Sequence, residues 1–590
     1  MGYDKDKLVY LDLETDNSHD HGTDPYRSKI VTLQAMLANG TKHLWANEEV
    51  TGKRFRFIES CTVVGHNLLF EAKFLKQCLG ITLVNVYDTM VAEHVLSGGS
   101  SGRTRLAELT EKYCGVKLDK TLQCSFVYGK ELTEDQIKYA YQDIIYLPAI
   151  MEAQIKEIDR LNLWDTINTE MRCIPAVAWM ELSGANVDIP TLKEIEATVR
   201  KQKESSEKML IDALTYTEDK QKTKQATLFG GLMQIVPKLN SPRDLLTALN
   251  KKGYTKLAGT DKKELSKYQG DPLITELKLY RGNEKLISGF INRMLGYDRA
   301  KKTYGKSEFI NPVTGRVHPS FNQCGARSGR FSCSEPNLQQ QPARVEAWRH
   351  IYTALPGNKI VSADYSQIEL RIVGQLSGEP AYIQAYTERY DLHKRTASQM
   401  FNVPLEEVTK NQRYMAKSIN FGLNYGLGAS TLREKLKMDI GLDISETEAQ
   451  NMKTTFQGIY PKVTQYLHEA GERSFKEGYV HTLAGRRCCT LDPGVETAEY
   501  TVKNRGKNLP IQGLCADMVK HAMGELFLKL EPKGVKLINM VHDELVFECK
   551  AAEAEEVGSI VKEEMEAAGR LYLNVLPCEV EVTIDDYWRH

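Results

Sequence analysis

An α/β domain is predicted over residues 1–165, ahead of a larger region, 166–590, that opens helical and later carries short buried strands. Three observations lead there. The runs LVYLDLETD (8–16), IVTLQAML (30–37) and CTVVGHN (61–67) read as strands, two of them ending in polar residues. Helical patterns alternate with them, one from about Leu68 and another from near Thr133 past Ile155. From Arg172 to Arg299 the chain reads as mostly polar helix, with Ser241-Pro242 starting a helix inside LNSPRDLLTALNKKG (239–253). The polar stretch TEDKQKTKQAT (217–227) reads as an exposed loop.

Size and composition narrow the field. At 590 residues, a prior of about 150 residues per domain gives three or four structural units. Apolar content of 42% and charged content of 26% are ordinary for a soluble globular chain. No apolar run approaches the ~18 residues of a membrane span, and no signal peptide pattern opens the chain. The twelve cysteines show no C-x2-C spacing, so reduced thiols and an intracellular, cytoplasmic setting are expected. A net charge of −1 gives no global attraction to nucleic acid. Local clusters do: Arg299, Lys301, Lys302 and Lys306; Arg486 and Arg487; Lys503, Arg505 and Lys507. A neutral chain binds DNA when such charge lines one cleft, although each cluster alone reads as a solvated face.

The chemistry is carried by carboxylates. Asp12 and Glu14 lie two apart on a strand, so both leave one face at its end. Tyr139 and Asp143 lie four apart on a helix and share a face there. Between them, HNLLFEAKFL offers Asn67 and Glu71. Carboxylates brought together repel unless cations neutralise them, as two Mg²⁺ ions would. Further along, IVSADYSQIELRI (360–372) opens as a buried strand carrying Asp364, and LINMVHDELVFE (537–548) reads as two strands around a tight turn with His542, Asp543 and Glu544. If these strands are neighbours in one sheet, Asp364 and Asp543 converge. In RYMAKSINFGLNY (413–425), Arg413, Lys417, Phe421 and Tyr425 recur every fourth residue, so two cations and two aromatic rings fall on one helix face. An ordinary amphipathic helix keeps its charges opposite its apolar stripe. A face combining both suits a polyphosphate joined to a flat base.

The pattern R-x3-K-x3-F-G-x2-Y-G resembles the finger helix of family A DNA polymerases, the bacterial DNA polymerase I type also found in phages. The acidic motifs of the N-terminal third are similar to those of the 3′–5′ proofreading exonucleases with Asp-x-Glu, Asn-x3-Asp and Tyr-x3-Asp. The resemblance implies an RNase H-like α/β exonuclease domain at 1–165. An α+β right-hand polymerase domain follows at 166–590, with a thumb at about 185–300, a palm at 301–375 and 500–590, and fingers at 376–499. No 5′-nuclease module precedes Leu8, so a large-fragment arrangement is expected.

By the same resemblance, Asp364, Asp543 and Tyr365 would bind the polymerase metals, with Glu544 beside them. Asp12, Glu14 and Asp143 would bind the exonuclease metals, with Glu71 and Tyr139 completing that site. Two Mg²⁺ per site are expected, replaceable by Mn²⁺. Arg413 and Lys417 would hold the triphosphate, Lys417 also protonating the leaving group, and His393 would touch a phosphate. Phe421 would stack on the incoming base and sugar, Tyr425 would sit by the templating base, and Glu369, with Gln367 nearby, would exclude a ribose 2′-OH. In GARSGRFSCSEPNLQQQP (325–342), Arg330, Asn337 and Gln339 would lie along the minor groove, Asn508 and Gln512 of NLPIQG (508–513) would reach toward the template or minor groove, and His542 would bind DNA. The implied partners are primer–template DNA, dNTPs and a single-stranded 3′ end; the protein is expected to be a monomer without a membrane contact. Two departures stand out. Glu71 replaces the usual Asp of the exonuclease, adding a methylene; an active exonuclease is expected, with weakened proofreading as the alternative. Asn504 stands where the family often has Arg, and Arg505 is expected to take over that contact.

Overall fold

The first domain is built on one mixed sheet of five strands. The computed structural model describes residues 4–19, 21–100, 102–219, 232–342 and 346–589. Strands β1 (Leu8–Thr15), β2 (Ile30–Leu37), β3 (Lys42–Ala46), β4 (Thr62–Gly65) and β5 (Asn85–Asp88) lie in the order β3-β2-β1-β4-β5. β1 is antiparallel to β2 and parallel to β4, so it is buried on both edges at the centre. Helix α1 (Leu69–Leu79) follows β4, within a residue of its expected start. The helix expected from Thr133 past Ile155 is instead two: α2 (Glu134–Ile145), capped by Thr133 and Gln136, and α3 (Leu147–Leu161). Pro148 explains the break, since it lacks an N–H and would clash with the carbonyl four residues back. Helix α4 (Trp164–Ser183) is shared: Ile167, Met171, Ile174 and Ala178 enter the first domain's core, while Cys173, Ala176, Val177 and Met180 enter the second's.

The long helices α5 (Ile189–Leu214) and α6 (Pro272–Leu286) pack together. Their bases, with Leu192, Val199 and Leu286, join the main core. Their far ends, with Leu210, Leu214, Ile274 and Leu277, close a separate small core around Leu245 and Leu249. Between them the expected helix forms as Pro242–Lys251, with Ser241 as its cap. The stretch 217–227 opens on the strand Tyr216–Asp219, and the rest of it lies outside the described residues.

A four-stranded antiparallel sheet anchors the second domain: β6 (Asn358–Tyr365), β7 (Lys536–Val541), β8 (Glu544–Lys550) and β9 (Val580–Asp585), ordered β7-β8-β6-β9. Alternation sends Tyr365 to the side covered by helix Ala554–Arg570, where its hydroxyl donates to Met565 O at 2.6 Å. Asp364 therefore leaves the opposite face. Past β6 run α7 (Ile368–Ser377), α8 (Leu392–Phe401) and α9 (Lys410–Asn424). α9 starts at a capping box, with Gln412 N–H donating to Thr409 Oγ1 at 3.2 Å and Thr409 N–H to Gln412 Oε1 at 2.9 Å. It stops at Tyr425, because Gly426 turns left-handed at φ +73°. The 32-residue helix α10 (Glu499–Leu530) packs against α4 and α7.

Candidate active sites

In the first domain, α2 crosses the face of β1 from which Asp12 and Glu14 emerge. Carboxylate oxygens of Asp12, Glu14 and Asp143 lie within 4.8 Å of one another. Glu71 reaches in from the first turn of α1, fully buried, and its Oε2 has no hydrogen-bond partner among the described residues. Burial and then Asp143 push Asp12 up to about 8, while burial and then Asp12 push Glu14 up to about 10. Burial and then Asp12 also raise Glu71 well above the carboxylate range, and burial raises Asp143. Buried acids that repel this strongly, one with an orphaned oxygen, form an all-oxygen donor set that fits hard divalent cations. Two neighbours carry no sequence motif. Gln34, opposite Asp12 in the β1–β2 register, donates Nε2–H to Asp12 Oδ2 at 2.5 Å. Lys120 Nζ stands 2.6 Å from Asp143 Oδ1.

In the second domain β6 and β8 are neighbours, as convergence of the aspartates requires. Asp364 faces Glu544 across the ladder, and Tyr365 N–H donates to Asp543 O at 3.3 Å. Burial, then Asp364, then Glu369 raise Asp543 to about 7, the repulsion expected of carboxylates held close together. Glu544 is turned aside: its Oε1 accepts from Trp588 Nε1–H at 2.7 Å and Ser362 Oγ at 2.5 Å. With its hydroxyl on Met565, Tyr365 has only its main-chain carbonyl to offer a metal.

Beyond the end of β6, a cavity of about 550 Å³ is lined by Gln367, Arg371, Tyr386, Asp391, Glu581 and, from α9, Arg413. Arg413 is exposed and bonds Asp391, which caps α8 by accepting from His393 N–H and Lys394 N–H. Lys417, one turn on, is exposed. His393 is 2% exposed, and burial drops its pKa to about 4 despite Asp391. Asn420 Nδ2–H donates to His393 Nδ1 at 3.0 Å, which leaves the proton of the neutral ring on Nε2. The His393 and Phe421 rings lie 5.8 Å apart. Gln367 Oε1 accepts from Tyr386 OH at 3.1 Å.

Arg330 bonds Glu369 and lines a small cleft with Gln339 and His542. Asn337 Oδ1 accepts from Gln339 N–H and Gln340 N–H, shaping the loop that presents Gln339. Asn508 donates to Tyr425 O at 3.3 Å, with Gln512 one turn further along α10.

Two expectations fail. Arg486 is not on a solvated face: it is 3% exposed and bonds Glu170 and Asp517 in a buried network with Lys520. Arg505 does not replace the missing arginine, because its guanidinium donates to Thr490 O at 2.9 Å and pairs with Asp492. Asn504 itself lies beside Gly426, at the end of α9.

A cluster of acids on one sheet, and an aspartate pair on another with a cationic–aromatic helix beyond the strand end, fit a phosphoryl-transfer enzyme with two separate sites. Residues 203–590 match DNA polymerase family A and residues 4–159 match a 3′–5′ exonuclease family. The chain is 32% identical to DNA polymerase I of Aquifex aeolicus over 98% of its own length and 96% of that protein. It is 30% identical to DNA polymerase I of Pseudomonas aeruginosa over 85% of this chain, spanning 53% of that protein. It is 37% identical to the thermostable DNA polymerase I of Thermus aquaticus over 54% of this chain and 36% of that one. Its fold superposes with a TM-score of 0.80 on the polymerase domain of Pol1 from M. smegmatis, solved with DNA primer-template and dNTP, at 25% identity over 98% of this chain and 95% of that one. The chain belongs to the family A DNA polymerases. It is a metal-dependent DNA-directed DNA polymerase with a 3′–5′ exonuclease domain.

Proposed function

We propose that Asp364 and Asp543 form the polymerase centre, extending a primer 3′-OH with dNTPs, and that Asp12, Glu14, Glu71 and Asp143 form the proofreading centre. The observation that carries this is the placing of Asp364, at the end of β6, beside Asp543, in the turn that enters β8, with Arg413 of α9 lining the cavity just beyond that strand end. Bound divalent cations, Mg²⁺ in this reading, would activate the 3′-OH and offset phosphate charge. The chain's own groups position the reactants. Arg413 exchanges Asp391 for triphosphate oxygens, and Lys417, a turn nearer Phe421, takes the next phosphate and protonates the leaving pyrophosphate. His393, neutral and protonated on Nε2, donates a hydrogen bond to the same tail. Phe421 stacks on the base, and Tyr425, held through its carbonyl by Asn508, borders the template.

Arg330, Gln339 and His542 follow the primer–template minor groove, where acceptors common to all correct pairs let them test geometry without reading sequence. Tyr139 and Asp143 complete the exonuclease centre, which takes a single-stranded 3′ end. The thumb is the α5–α6 pair with its separate core. Twelve free cysteines suit a reducing, intracellular setting.

A 3′-mismatched primer tests the division of labour. Asp543→Ala should lose extension and keep 3′ trimming, and Asp12→Ala should do the reverse. Extension surviving Asp543→Ala would refute the polymerase assignment. Efficient NTP use with poor dNTP use would refute the DNA reading.

A further inference from the structure

Lys120 belongs to no acidic motif, yet its ammonium sits inside the exonuclease cluster. It stands 2.6 Å from Asp143 Oδ1 and 3.5 Å from Tyr139 OH, and its Nζ is 5.2 Å from the centroid of the Tyr139 ring. It also offsets the charge of Asp12 and Glu14. Its backbone is fixed rather than incidental. The neighbouring Asp119 O accepts from Gln142 Nε2–H at 3.2 Å, and Gln142 precedes Asp143 on α2. Asp119 Oδ1 accepts from Thr121 N–H at 2.9 Å on the other side. The side chain remains 32% exposed while Asp143 is 6% exposed, so the ammonium lies at the mouth of the site.

Charge decides what such a cation is for. Asp12, Glu14, Glu71 and Asp143 sum to four negative charges, which two divalent ions balance. Lys120 then adds one positive charge that the carboxylates no longer need. The scissile phosphodiester brings one negative charge. We infer that Lys120 is the phosphate-binding cation of the exonuclease site, pairing with Asp143 while metals are absent and with the scissile phosphate when they are bound. Hydrolysis adds water across the terminal P–O3′ bond. The water oxygen joins phosphorus, the shortened strand leaves with a protonated 3′-OH, and a nucleoside 5′-monophosphate is released. No further reactant is needed. A donor aimed at the phosphate as negative charge develops acts on turnover more than on ground-state binding.

The inference rests on the assignment of Asp12, Glu14 and Asp143 as metal-binding carboxylates, so the test separates the two. Lys120→Met, Lys120→Arg and Asp12→Ala are compared in an Asp543→Ala background. Degradation of a single-stranded oligonucleotide is measured at saturating Mn²⁺, and Mn²⁺ binding without DNA is measured by calorimetry. Lys120→Met should lower kcat by about 100-fold with KM little changed. It should bind Mn²⁺ as tightly as the parent or more tightly, since a competing cation is gone. Lys120→Arg should recover much of the lost turnover. Parental turnover for Lys120→Met at saturating Mn²⁺ would overturn the inference. So would a loss accompanied by weaker Mn²⁺ binding or a lower thermal midpoint, which would mean a collapsed site. Full activity in Asp12→Ala would instead refute the underlying site assignment.

Discussion

Gly513 follows Gln512 on α10, and the structure gives it a reason. A Cβ added there would meet Thr482 Cγ2 at 2.6 Å and the carbonyl of Ser328 at 3.2 Å. Thr482 cannot swing away freely: its hydroxyl donates to Asp517 Oδ2 at 3.0 Å and accepts from Arg486 N–H at 3.2 Å. Ser328 precedes Arg330 by two residues. Gly513→Ala must therefore move one side or the other by about 1 Å, a shift that close-packed interiors absorb poorly. Overpacking of this kind costs about 1–3 kcal/mol. A misplacement of about 1 Å at a reacting centre can cost on the order of a hundredfold in rate. Since Gln512 and Arg330 sit on the two moved surfaces, kcat/KM for primer extension should fall by about 10- to 100-fold, and the thermal midpoint by a few degrees. Trimming of single-stranded DNA should be unchanged. Gly458→Ala is the control, because an added Cβ there meets nothing within 4 Å inside helix Glu446–Ile459. Parental extension by Gly513→Ala, or an equal loss by Gly458→Ala, would refute the packing argument.

Three further outcomes are expected. With EDTA, the thermal midpoint should fall as pH rises from about 5 to 9. Asp12 and Glu14 hold protons in the folded state up to about 8 and about 10, so the stability they contribute is complete below the ordinary carboxylate range and lost through that window. Mg²⁺ should stabilise most at the alkaline end, and a midpoint that rises with pH in EDTA, relative to Asp12→Asn, would contradict the shifts. Glu369→Ala should raise ribonucleotide incorporation and free Arg330 from its carboxylate partner; an unchanged dNTP/NTP ratio would remove the gate assignment. Phe421 offers no ring hydroxyl to replace a missing sugar 3′-OH, so dideoxynucleotides should be used poorly and Phe421→Tyr should relieve this; equal use by both forms would refute it.

What the sequence revealed follows from periodicity. β2 occupies the residues expected of it, and α9 carries its four-residue ladder to Tyr425, because strand and helix periods depend on local order alone. Convergence of Asp364 and Asp543 was legible only as a condition, since strand pairing across so long a separation is a tertiary fact. Lys120 and Gln34 were invisible for related reasons. One lies on a loop without period, and the other matters only through its register with Asp12. Arg486 misled because a charged pair in sequence looks the same whether solvated or matched by Glu170 and Asp517. Arg505 misled because one residue on a helix turns a side chain by about 100°.

The buried charges also bear on how a mismatched end reaches the second site. Glu170 lies on α4, the helix that enters both cores, and bonds Arg486 and Lys520 of the polymerase region. Asp517 completes a set of two acids and two bases that cancel. Lys520 and Arg486 pull Glu170 down to about 2 against the opposing effect of burial, so it stays ionised. Glu170, Arg486, Asp517 and Lys520 all lie in the polymerase region and hold α4 to it, so a swing of residues 1–165 away from the polymerase would strip their core from Ile167, Met171, Ile174 and Ala178 of that helix. The backbone contact of Cys489 N–H with Gly98 O at 2.8 Å, on the same seam, would break as well. If the two centres act as proposed, transfer between them falls to the DNA strand, whose primer end must melt and travel while the protein holds both destinations in place.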